Sequence, residues 1–463
     1  MKTKRFFSVF LLVALVMSLW AVPFASADTK EAPVLPEDPD ILAKAALLVD
    51  YNTGEIVYAK NEHEELYPAS LTKIMTALLT LEAIDAGKLT MDQPLTATAT
   101  ALEGLSSDGS SAGIKVGETM PVRDLLYCML VVSANEACDI LAEGVSGSVS
   151  AFVDAMNAKA QELGCKNTHF VNPNGLHDPQ HYTYAWDLYL ITRAAMEYED
   201  FMTICDTADI VIPATNLSAE RHLYTTNYLI STWRSRGYIN SDARGIKTGS
   251  TSEAGHCLVS SAVRGSLSFI SVVLGGDRVT LENNEIRTYS FYDTNLLFNW
   301  AFDSFSYQTV LEANQPITRE AAVSLSKIDH VTLVPANEVE VLLPKSLKPE
   351  DLEQTVTLKA DPVEAPIAEG QVLGTMTLSY DGKEYATVDL LANNAVEASR
   401  LLVFWRDVKE FFSRTSVKIA AVVLLVLIVL LLLWKLIFGR RRYRYGRSVS
   451  SGRPRSYRGR RRH

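Results

Sequence analysis

The chain has 463 residues and a formal net charge of −10 at neutral pH. Residues 1–27 carry +3 and residues 434–463 carry +12, which leaves about −25 for the segment between them. Such an acidic segment argues against a nucleic-acid-binding surface there. The five cysteines are odd in number and sparse, which excludes a disulfide framework; free buried thiols are favoured, although one buried pair is possible.

The N-terminus has the three parts of a secretory signal peptide. Basic residues at positions 2, 4 and 5 precede an apolar run from Phe6 to about Val22, and Ala25-Ser26-Ala27 offers a cleavage site of small residues. We therefore expect residues 1–27 to direct export and to be removed, with a retained membrane anchor as the alternative. Residues 28–40 are polar and contain proline, which predicts a short linker.

Residues 41–305 contain a mixture of strand and helix patterns. The first is a β-hairpin with its turn at Tyr51-Asn52-Thr53-Gly54, followed by a helix headed by Ser70. Residues 87–120 look like loop-rich chain. Further helices are predicted at 122–132, 136–144, 151–164, 186–196 and 294–305. A second hairpin is predicted from the strand-like runs 257–263 and 267–274, which Arg264-Gly265-Ser266 joins.

Ser70 and Lys73 stand one helical turn apart in the run Pro68-Ala69-Ser70-Leu71-Thr72-Lys73, so their side chains share a helix face. A serine is a weak nucleophile at neutral pH and needs a neighbouring base to take its proton. The pair therefore predicts a nucleophile and its base. This spacing alone is not specific, since Ser324 and Lys327 repeat it, and there we favour a helix-cap serine followed by a solvated lysine.

Two further motifs distinguish the first pair from its repeat. Ser133-Ala134-Asn135 lies at a corner between two predicted helices, and Lys247-Thr248-Gly249 begins a predicted strand. Both follow Ser70 in the order and rough spacing of an active-site-serine enzyme that recognises penicillin. The corner offers a hydroxyl to pass a proton to a leaving amine and an amide to hold a substrate amide. The strand offers a cation and a hydroxyl for a substrate carboxylate, and its glycine lets a ligand backbone approach closely.

Lys73 can act as a base near neutral pH only if its pKa lies far below the ordinary value for lysine. Burial and a second cation both lower the pKa of a lysine, and Lys247 is the obvious second cation. A helix that begins at Ser70 would also stabilise a developing oxyanion through its dipole and its first backbone N–H groups.

Beyond residue 305 the pattern changes to short alternating runs, which predicts a small all-β domain over 306–395. Asp381-Gly382 joins the last two runs and is the strongest short hairpin signal. The predicted strands lie at 331–334, 339–343, 355–359, 375–380 and 383–390.

The C-terminal segments indicate attachment to a membrane. Residues 396–418 form an amphipathic juxtamembrane pattern that suits either the membrane interface or a plain stalk helix. Residues 419–438 are apolar and long enough to span a bilayer. The tail, 439–463, holds eleven arginines and no acid, which predicts a cytoplasmic location. Anionic lipid is a sufficient partner for this tail, and a nucleic-acid patch is the alternative.

These motifs and their order resemble the low-molecular-mass penicillin-binding proteins that act as serine-type D-alanyl-D-alanine carboxypeptidases. The resemblance covers roughly residues 35–395 and includes Asn172-Pro173-Asn174-Gly175-Leu176, His181 with Asp187, and the strand 270–275. It implies an α+β fold like that of beta-lactamases and transpeptidases, in which helices and a helical lobe flank an antiparallel sheet. Residues 41–305 would be the extracytoplasmic catalytic domain, followed by the small all-β domain and a C-terminal transmembrane helix.

The resemblance also implies a reaction. The enzyme would remove the terminal D-alanine from peptidoglycan stem pentapeptides and so limit cross-linking during cell wall synthesis. Ser70 would form the acyl-enzyme, Lys73 would be the base, and Ser133 would shuttle a proton to the leaving amine. Beta-lactams would acylate Ser70 as mimics of the substrate. No metal or other cofactor is expected.

Substrate binding is implied for five further residues. Asn135 would bind the acyl chain, while Lys247 and Thr248 would bind the terminal carboxylate. Gly249 completes that motif, and the N–H of Ser250 would form the oxyanion hole together with the N–H of Ser70.

Two departures from the family pattern affect this transfer. The corner motif has Ala134 where many relatives have glycine, a change expected to matter little. The arginine that relatives place after the 270–275 strand has no clean counterpart, and Arg278 and Arg287 are both candidates.

Three alternative functions differ in their sequence requirements. A class A beta-lactamase would carry a Glu-x-x-x-Asn motif between the second and third motifs, which is absent from this sequence. An inactive wall-binding module would not need the complete catalytic motifs. A metal enzyme could use His177 and His181, but Pro179 breaks any helix between them, and ordinary loop histidines are the favoured interpretation.

Overall fold

The computed structural model describes residues 33–105, 109–231, 233 and 237–438. These residues divide into two compact units. The first unit runs to Val310 and also takes in Glu340–Asp351, and the second comprises Leu311–Val339 and the chain from Leu352 onward. The predicted signal peptide and the arginine-rich tail lie outside the described residues.

The helices and strands are numbered separately in chain order. The helices are α1 (Lys73–Asp85), α2 (Val122–Val131), α3 (Asn135–Ser146), α4 (Val149–Glu162), α5 (Ala185–Met196), α6 (Glu199–Cys205), α7 (Tyr289–Ser304), α8 (Arg400–Ser413) and α9 (Thr415–Phe438). The strands are β1 (Ala45–Asp50), β2 (Ile56–Lys60), β3 (Pro94–Thr96), β4 (Thr119–Pro121), β5 (Asp209–Ile212), β6 (Arg221–Tyr224), β7 (Ala243–Thr251), β8 (Gly255–Arg264), β9 (Leu267–Gly276), β10 (Arg278–Thr280), β11 (Ile286–Thr288), β12 (Phe305–Leu311), β13 (Glu320–Ser324), β14 (His330–Pro335), β15 (Val339–Pro344), β16 (Glu353–Leu358), β17 (Val363–Glu364), β18 (Val372–Tyr380) and β19 (Lys383–Ala392).

An antiparallel sheet forms the centre of the first unit, and its described strands follow the order β2-β1-β9-β8-β7. All six residues of β1 are buried, because helices cover both faces of the sheet. Side chains alternate between the faces of a strand. Ala45, Leu47 and Val49 accordingly join the core shared with α1 to α6, whereas Ala46 and Leu48 join the core shared with α7. Strand β7 lies at an edge of this sheet.

Both predicted hairpins of the first unit are confirmed. In β1–β2, Leu48 pairs with Tyr58, and Oδ1 of Asp50 accepts a 2.8 Å hydrogen bond from the N–H of Thr53 in the turn. In β8–β9, Arg264 pairs with Leu267 across the predicted turn.

The helices that flank the corner motif are confirmed within two residues, but the last helix of this unit differs from its prediction. Helix α7 begins at Tyr289, five residues before the predicted start at Thr294. Its first turns bury Ser290 and Asp293, and Oδ2 of Asp293 accepts hydrogen bonds from the N–H groups of Leu42 and Ala43. Because polar residues face the interior there, the apolar periodicity begins later than the helix does.

Two parts of the first unit contain more regular structure than predicted. The segment 87–120 includes the short strand pair β3–β4. Helix α6 and the strand pair β5–β6 lie between α5 and β7 and were not predicted. All of these elements are short, with at most seven residues. Elements of this length give little periodic signal in a sequence.

The second unit contains most of the β structure that the alternating runs predict, but the predicted strand 339–343, which is β15, pairs with β12 and belongs almost wholly to the first unit. The described sheet of the second unit has the strand order β16-β18-β19-β14-β13-β17. The β18–β19 hairpin turns at Asp381 and Gly382, which have φ of 49° and 78°, and Tyr380 pairs with Lys383. Positive φ at both central residues suits the twist of a two-residue hairpin. Strands β13 and β17 were not predicted.

Two helices end the described chain. Helix α8 carries exposed Leu401, Phe404 and Trp405 and covers most of the predicted amphipathic segment 396–418, but residues 415–418 belong to α9, which begins before the predicted start of the span at 419. Helix α9 has 24 residues and is long and apolar enough to cross a membrane. At 1.5 Å per residue it would be about 36 Å long, compared with about 30 Å of hydrocarbon in a bilayer.

Candidate active site

Ser70 lies in a single 3₁₀ turn, Ala69–Thr72, that leads directly into α1. Lys73 is the first residue of α1, and its Nζ lies 3.0 Å from Oγ of Ser70. Ala69, just before the serine, has a left-handed backbone with φ of 47°. The structure therefore brings the predicted pair into hydrogen-bond contact, although Ser70 stands in a tight turn just ahead of the α-helix.

Lys73 is completely buried, and its Nζ donates to three oxygens. These are Oγ of Ser70 at 3.0 Å, Oδ1 of Asn135 at 2.8 Å and the backbone carbonyl of Asn174 at 2.6 Å. An ammonium group has three donors, so all of them are used. Burial lowers the pKa of Lys73, while the nearby Cys138, Asp139 and Glu136 act to raise it. Loss of one proton would let Nζ accept a proton from Ser70.

The corner motif connects α2 and α3. Ser133 has a left-handed backbone with φ of 65°, which turns the chain so that α3 can begin at Asn135. The N–H of Asn135 donates to the carbonyl of Ser110 at 2.9 Å, and the N–H of Ala134 donates to the carbonyl of Cys128 at 3.0 Å. The corner is therefore held by backbone hydrogen bonds, with Ser133 facing the cleft described below.

The third motif lies on β7, at the edge of the central sheet. Lys247 is 1% exposed, and its Nζ donates to the carbonyl of Thr248 at 2.9 Å. Burial, together with the charge of Lys73, lowers the pKa of Lys247 to about 7. The hydroxyl of Thr248 lies 2.6 Å from the hydroxyl of Thr226. The motif thus supplies a cation and a hydroxyl at one edge of the sheet, as predicted.

Two glycines bring other segments against the backbone of the Ser70 turn. A Cβ added to Gly249 would lie 2.9 Å from the carbonyl oxygen of Pro68 and 3.2 Å from the nitrogen of Ser70. A Cβ added to Gly175, which has φ of 83°, would collide with the carbonyl of Ala69. The atoms nearest to the missing side chain of Gly249 are thus the protein's own backbone, whereas the sequence suggested a ligand backbone.

A cleft of about 220 Å³ lies over these residues. Ser70, Ser133, Thr248, Gly249 and Ser250 line it, while Lys73, Asn135 and Lys247 are buried. The remaining lining residues, which the sequence did not indicate except for Arg278, are Ser110, Thr226, Tyr228, His256, Cys257, Arg278, Thr288, Ser290 and Phe291. They come from separated segments and share no motif, so a sequence gives no signal for them.

The structure distinguishes between the two candidate arginines. Arg278 lines the cleft. Arg287 pairs across the β10–β11 ladder with Val279, not with Arg278. Its guanidinium lies 4.4 Å from the ring centre of Tyr292 and 3.6 Å from a carboxylate oxygen of Glu285. Arg278 is therefore the arginine that could contact a bound carboxylate.

His181 is part of the support for the Ser70 turn. Its Nδ1 accepts from the N–H of Val171 at 3.3 Å, so the Nε2–H donates to the hydroxyl of Thr72 at 2.8 Å. That hydroxyl in turn donates to the carbonyl of Ala69 at 2.8 Å. Burial lowers the pKa of His181 to about 4. With both ring nitrogens engaged, His181 has none left for a metal ion.

Three polar residues behind the cleft were not identified as functional from the sequence. The carbonyl of Asn174 is an acceptor for Lys73, as described above. The carbonyl of the preceding residue, Pro173, accepts a 2.6 Å hydrogen bond from the hydroxyl of Thr76. Oε1 of Glu136 accepts hydrogen bonds from the hydroxyl of Ser111 and from the N–H groups of Ala112 and Ile114. These bonds hold the loop that contains Ser110. Asp139 accepts a hydrogen bond from Asn174. Main-chain acceptors and buried acids of this kind have no sequence signature.

The second Ser-x-x-Lys copy is not on a helix. Ser324 is the last residue of β13, and its hydroxyl lies 3.4 Å from the carbonyl of Val363. Leu325 then takes φ of 62°, and Lys327 is exposed. The helix-cap interpretation was therefore wrong, because Ser324 belongs to a β-strand of the second unit. The prediction of a solvated lysine is confirmed.

All five cysteines lie within the described residues and are free thiols. Cys138 is buried beside the lysines, and burial raises the pKa of its thiol to about 12.

Comparisons with known proteins cover most of the chain. The sequence profile described as D-alanyl-D-alanine carboxypeptidase matches residues 32–278, and the profile described as the C-terminal domain of penicillin-binding protein 5 matches residues 305–398. The D-alanyl-D-alanine carboxypeptidase DacF of Bacillus subtilis is 32% identical over 401 residues, which are 87% of this chain and 97% of DacF. The carboxypeptidase DacA of Haemophilus influenzae is 32% identical over 80% of this chain and 89% of its own length.

Solved structures show the same similarity. Penicillin binding protein 5 from Haemophilus influenzae superposes with a TM-score of 0.60 at 32% identity, covering 78% of this chain and 99% of that one. The D-alanyl-D-alanine carboxypeptidase DacD from Francisella tularensis superposes with a TM-score of 0.66 at 28% identity, covering 81% of this chain and all of its own.

Proposed function

This chain belongs to the D-alanyl-D-alanine carboxypeptidase family, and from that membership we propose that Ser70 is the nucleophile that removes the terminal D-alanine from peptidoglycan stem pentapeptides. The single observation that carries the assignment is the contact between Ser70 Oγ and the buried Nζ of Lys73 at 3.0 Å. Removal of that D-alanine withdraws pentapeptides from cross-linking during cell wall synthesis. Beta-lactams inhibit the enzyme by acylating the same serine.

Acylation begins when Lys73, in its unprotonated form, takes the proton of Ser70. The serine oxygen then attacks the carbonyl between the last two D-alanines and forms a tetrahedral intermediate. The N–H groups of Ser70 and Ser250 stabilise its oxyanion, which is the largest electrostatic contribution in most acyl transfers. In that form Nζ keeps two N–H groups for Asn135 and Asn174 and has a lone pair for the Ser70 hydroxyl, so little reorganisation is needed when the proton moves.

Collapse of the intermediate breaks the C–N bond of the scissile amide. The leaving amine takes the proton that Lys73 received from Ser70, which Ser133 relays, and D-alanine departs. Asn135 holds the acyl chain that stays on Ser70. A water molecule then attacks the ester and releases the shortened peptide, which restores the serine.

Recognition of the substrate depends on its terminal carboxylate. Lys247, Thr248 and Arg278 present a cation, a hydroxyl and a guanidinium around the cleft. Gly249 lets this strand edge lie against the Ser70 turn, so that the carboxylate site and the nucleophile are close together. This grouping suits a peptide whose scissile bond lies one residue from its C-terminus.

We propose that the chain is divided into segments with different roles. Residues 41–305 form the catalytic domain, 306–395 the β-rich domain and 396–418 a juxtamembrane helix. The two family profiles, which match residues 32–278 and 305–398, support this division. Residues 1–27 direct export, and 419–438 span the membrane with the arginine-rich tail in the cytoplasm. The apolar helix α9 and the basic residues beyond it support that topology.

Intact-mass measurement with penicillin tests the assignment of the nucleophile. The wild-type protein should gain the mass of one penicillin and release D-alanine from a pentapeptide, and Ser70→Ala should do neither. Ser324→Ala is the matched control, because it removes the serine of the other Ser-x-x-Lys copy, and it should behave as wild type. Labelling of Ser70→Ala would disprove the assignment. Rapid turnover of penicillin, without a lasting adduct, would indicate a beta-lactamase instead.

A further inference from the structure

Asp139 is a buried carboxyl group that has no role in the mechanism above. It lies on α3, one turn beyond Asn135, and is 6% exposed. Residues four apart share a helix face, so Asp139 and the Lys73 ligand Asn135 face the same side. Burial of an acid costs free energy unless the group has a partner. The position next to the catalytic lysine therefore calls for a physical explanation.

Asn174 links this carboxyl group to Lys73 through two different atoms. Its side-chain Nδ2 donates to Oδ2 of Asp139 at 3.2 Å, and its backbone carbonyl accepts from Nζ of Lys73 at 2.6 Å. Its Oδ1 accepts from the N–H of Leu176 at 2.9 Å. Because that contact requires an oxygen, the amide nitrogen must point toward Asp139. The carboxyl group is thus the acceptor that anchors the Asn174 side chain.

The charged groups that act on Asp139 come from two elements. Lys73 acts on it from α1, and Glu136 and Glu143 stand on α3 itself. Burial raises the pKa of Asp139 to about 7, although the hydrogen bond from Asn174 and the charge of Lys73 both lower it. In its ionised form Asp139 acts to raise the pKa of Lys73. The buried Lys73 thus has this acid as a nearby counter-charge.

We propose that Asp139 is a positioning residue for the base: through Asn174 it fixes the carbonyl that holds Lys73 against Ser70, and its charge offsets that of the buried Lys73. The proposal rests on the assignment of Lys73 as the base. Asp139 touches neither the substrate nor the reacting atoms, so its effect should appear in the rate of acylation and in its pH dependence.

Two substitutions separate the hydrogen bond from the charge. Asp139→Asn keeps an oxygen that can accept from Asn174 and removes the negative charge, whereas Asp139→Ala removes both. Asp154→Asn is the control, because it removes an acid that is exposed on α4 and takes no part in the contacts described above. The full-length protein in detergent is assayed for acylation by fluorescent penicillin between about pH 5 and 9, and for kcat and KM on a D-alanyl-D-alanine peptide.

We expect Asp139→Ala to slow acylation by about tenfold or more while KM stays within about twofold, since the carbonyl of Asn174 loses its anchor. Asp139→Asn should retain most of the maximal rate, but the acid limb of its pH profile should move down by about half a unit or more. Loss of the negative charge lowers the pKa of Lys73, so more of the lysine is unprotonated at a given pH. Asp154→Asn should keep the wild-type profile.

A wild-type pH profile in Asp139→Asn, or a wild-type acylation rate in Asp139→Ala, would overturn the proposal, as would an effect confined to KM. Thermal unfolding of each variant shows whether it folds. If Asp139→Ala does not fold, the pH profile of Asp139→Asn alone tests the proposal. Wild-type protein that penicillin fails to acylate at Ser70 would instead count against the proposed function. The two failures are therefore distinguishable.

Discussion

Lys73 meets two opposing demands at the residue scale. Complete burial favours the neutral amine, while three acceptors within 3.0 Å favour the ammonium form. A base that serves near neutral pH needs a pKa well below that of an ordinary lysine, and burial lowers the pKa of Lys73 in that direction. Burial and the charge of Lys73 also lower the pKa of the neighbouring Lys247, to about 7.

The two arginines near the cleft give a direct test of carboxylate recognition. Arg278→Gln should raise KM for a D-alanyl-D-alanine peptide by about tenfold or more, because a charge-assisted hydrogen bond to the carboxylate is lost. Arg287→Gln should leave KM within about twofold, since that guanidinium stacks on Tyr292. Steady-state kinetics on both variants decides between them. Equal effects, or a larger effect at Arg287, would contradict the assignment.

His181 predicts a pH dependence of stability. Its pKa of about 4 in the folded protein lies below the value near 6.5 expected in the unfolded chain, so the unfolded state binds the proton more readily between these values. Its contribution is therefore fully present above pH 6.5 and is lost as the pH falls toward 4. The free energy of unfolding should fall by about 3 kcal/mol, because the two pKa values differ by about 2.5 and each pKa unit corresponds to about 1.4 kcal/mol.

Urea unfolding of the protein in detergent at several pH values checks this prediction. His181→Asn should be less stable at pH 7 but should lose about 3 kcal/mol less than wild type between pH 7 and 4. His222→Asn is the control, because His222 is exposed on β6, and it should keep the wild-type pH dependence. If His181→Asn and the wild type lost the same free energy of unfolding between pH 7 and 4, the buried imidazole would not be the source of the pH dependence.

At the scale of elements, the position of β7 determines the site. This edge strand carries the third motif and packs directly on the turn that holds Ser70, with Gly249 at the contact. The two segments are about 180 residues apart in the sequence, yet the geometry of each depends on the other. A change at the contact should therefore impair chemistry more than stability.

Gly249→Ala tests this dependence. The added methyl group would lie 2.9 Å from the carbonyl of Pro68, so the turn or the strand must shift and Ser70 should move with it. We expect acylation by penicillin to slow by about tenfold or more, since displacements of about 1 Å can cost that much or more. Gly265→Ala is the control, in a hairpin turn with open space around it, where only a stability loss of about 1 kcal/mol is expected. Wild-type acylation in Gly249→Ala would contradict the prediction.

The elements also show what a sequence alone can predict. Ser70-x-x-Lys73 is readable because helical spacing is local, and the hairpins at Gly54, at Gly265 and at Asp381-Gly382 are readable because turn residues are local too. Arg278 could not be chosen over Arg287, and Asn174 could not be identified as an acceptor for Lys73, because both facts depend on contacts between distant segments. The start of α7 was missed because Ser290 and Asp293 face the interior.

At the scale of the whole molecule, attachment to the membrane places a restriction on where the chemistry occurs. Helix α9 is long and apolar enough to act as the anchor. With the tail in the cytoplasm, the catalytic residues would lie on the outer side, where stem peptides are exposed.

Protease accessibility tests that topology in intact cells with a permeabilised wall. An epitope tag after His463 should be protected from external protease and should be digested only after the membrane is lysed. The same tag inserted at the β18–β19 turn, Asp381-Gly382, should be digested from outside, since this turn is exposed. Digestion of the C-terminal tag in intact cells would reverse the proposed orientation.

The contacts around Ser70 also bear on how this protein could become resistant to beta-lactams. Gly175 and Gly249 pack against the backbone of the Ser70 turn, and Lys73 is held by three hydrogen bonds. Substitutions at these positions would damage the natural reaction along with the drug reaction, so selection should reject them. Resistance substitutions that spare cell wall synthesis should therefore accumulate at the rim of the cleft, around Ser110, Tyr228 and His256.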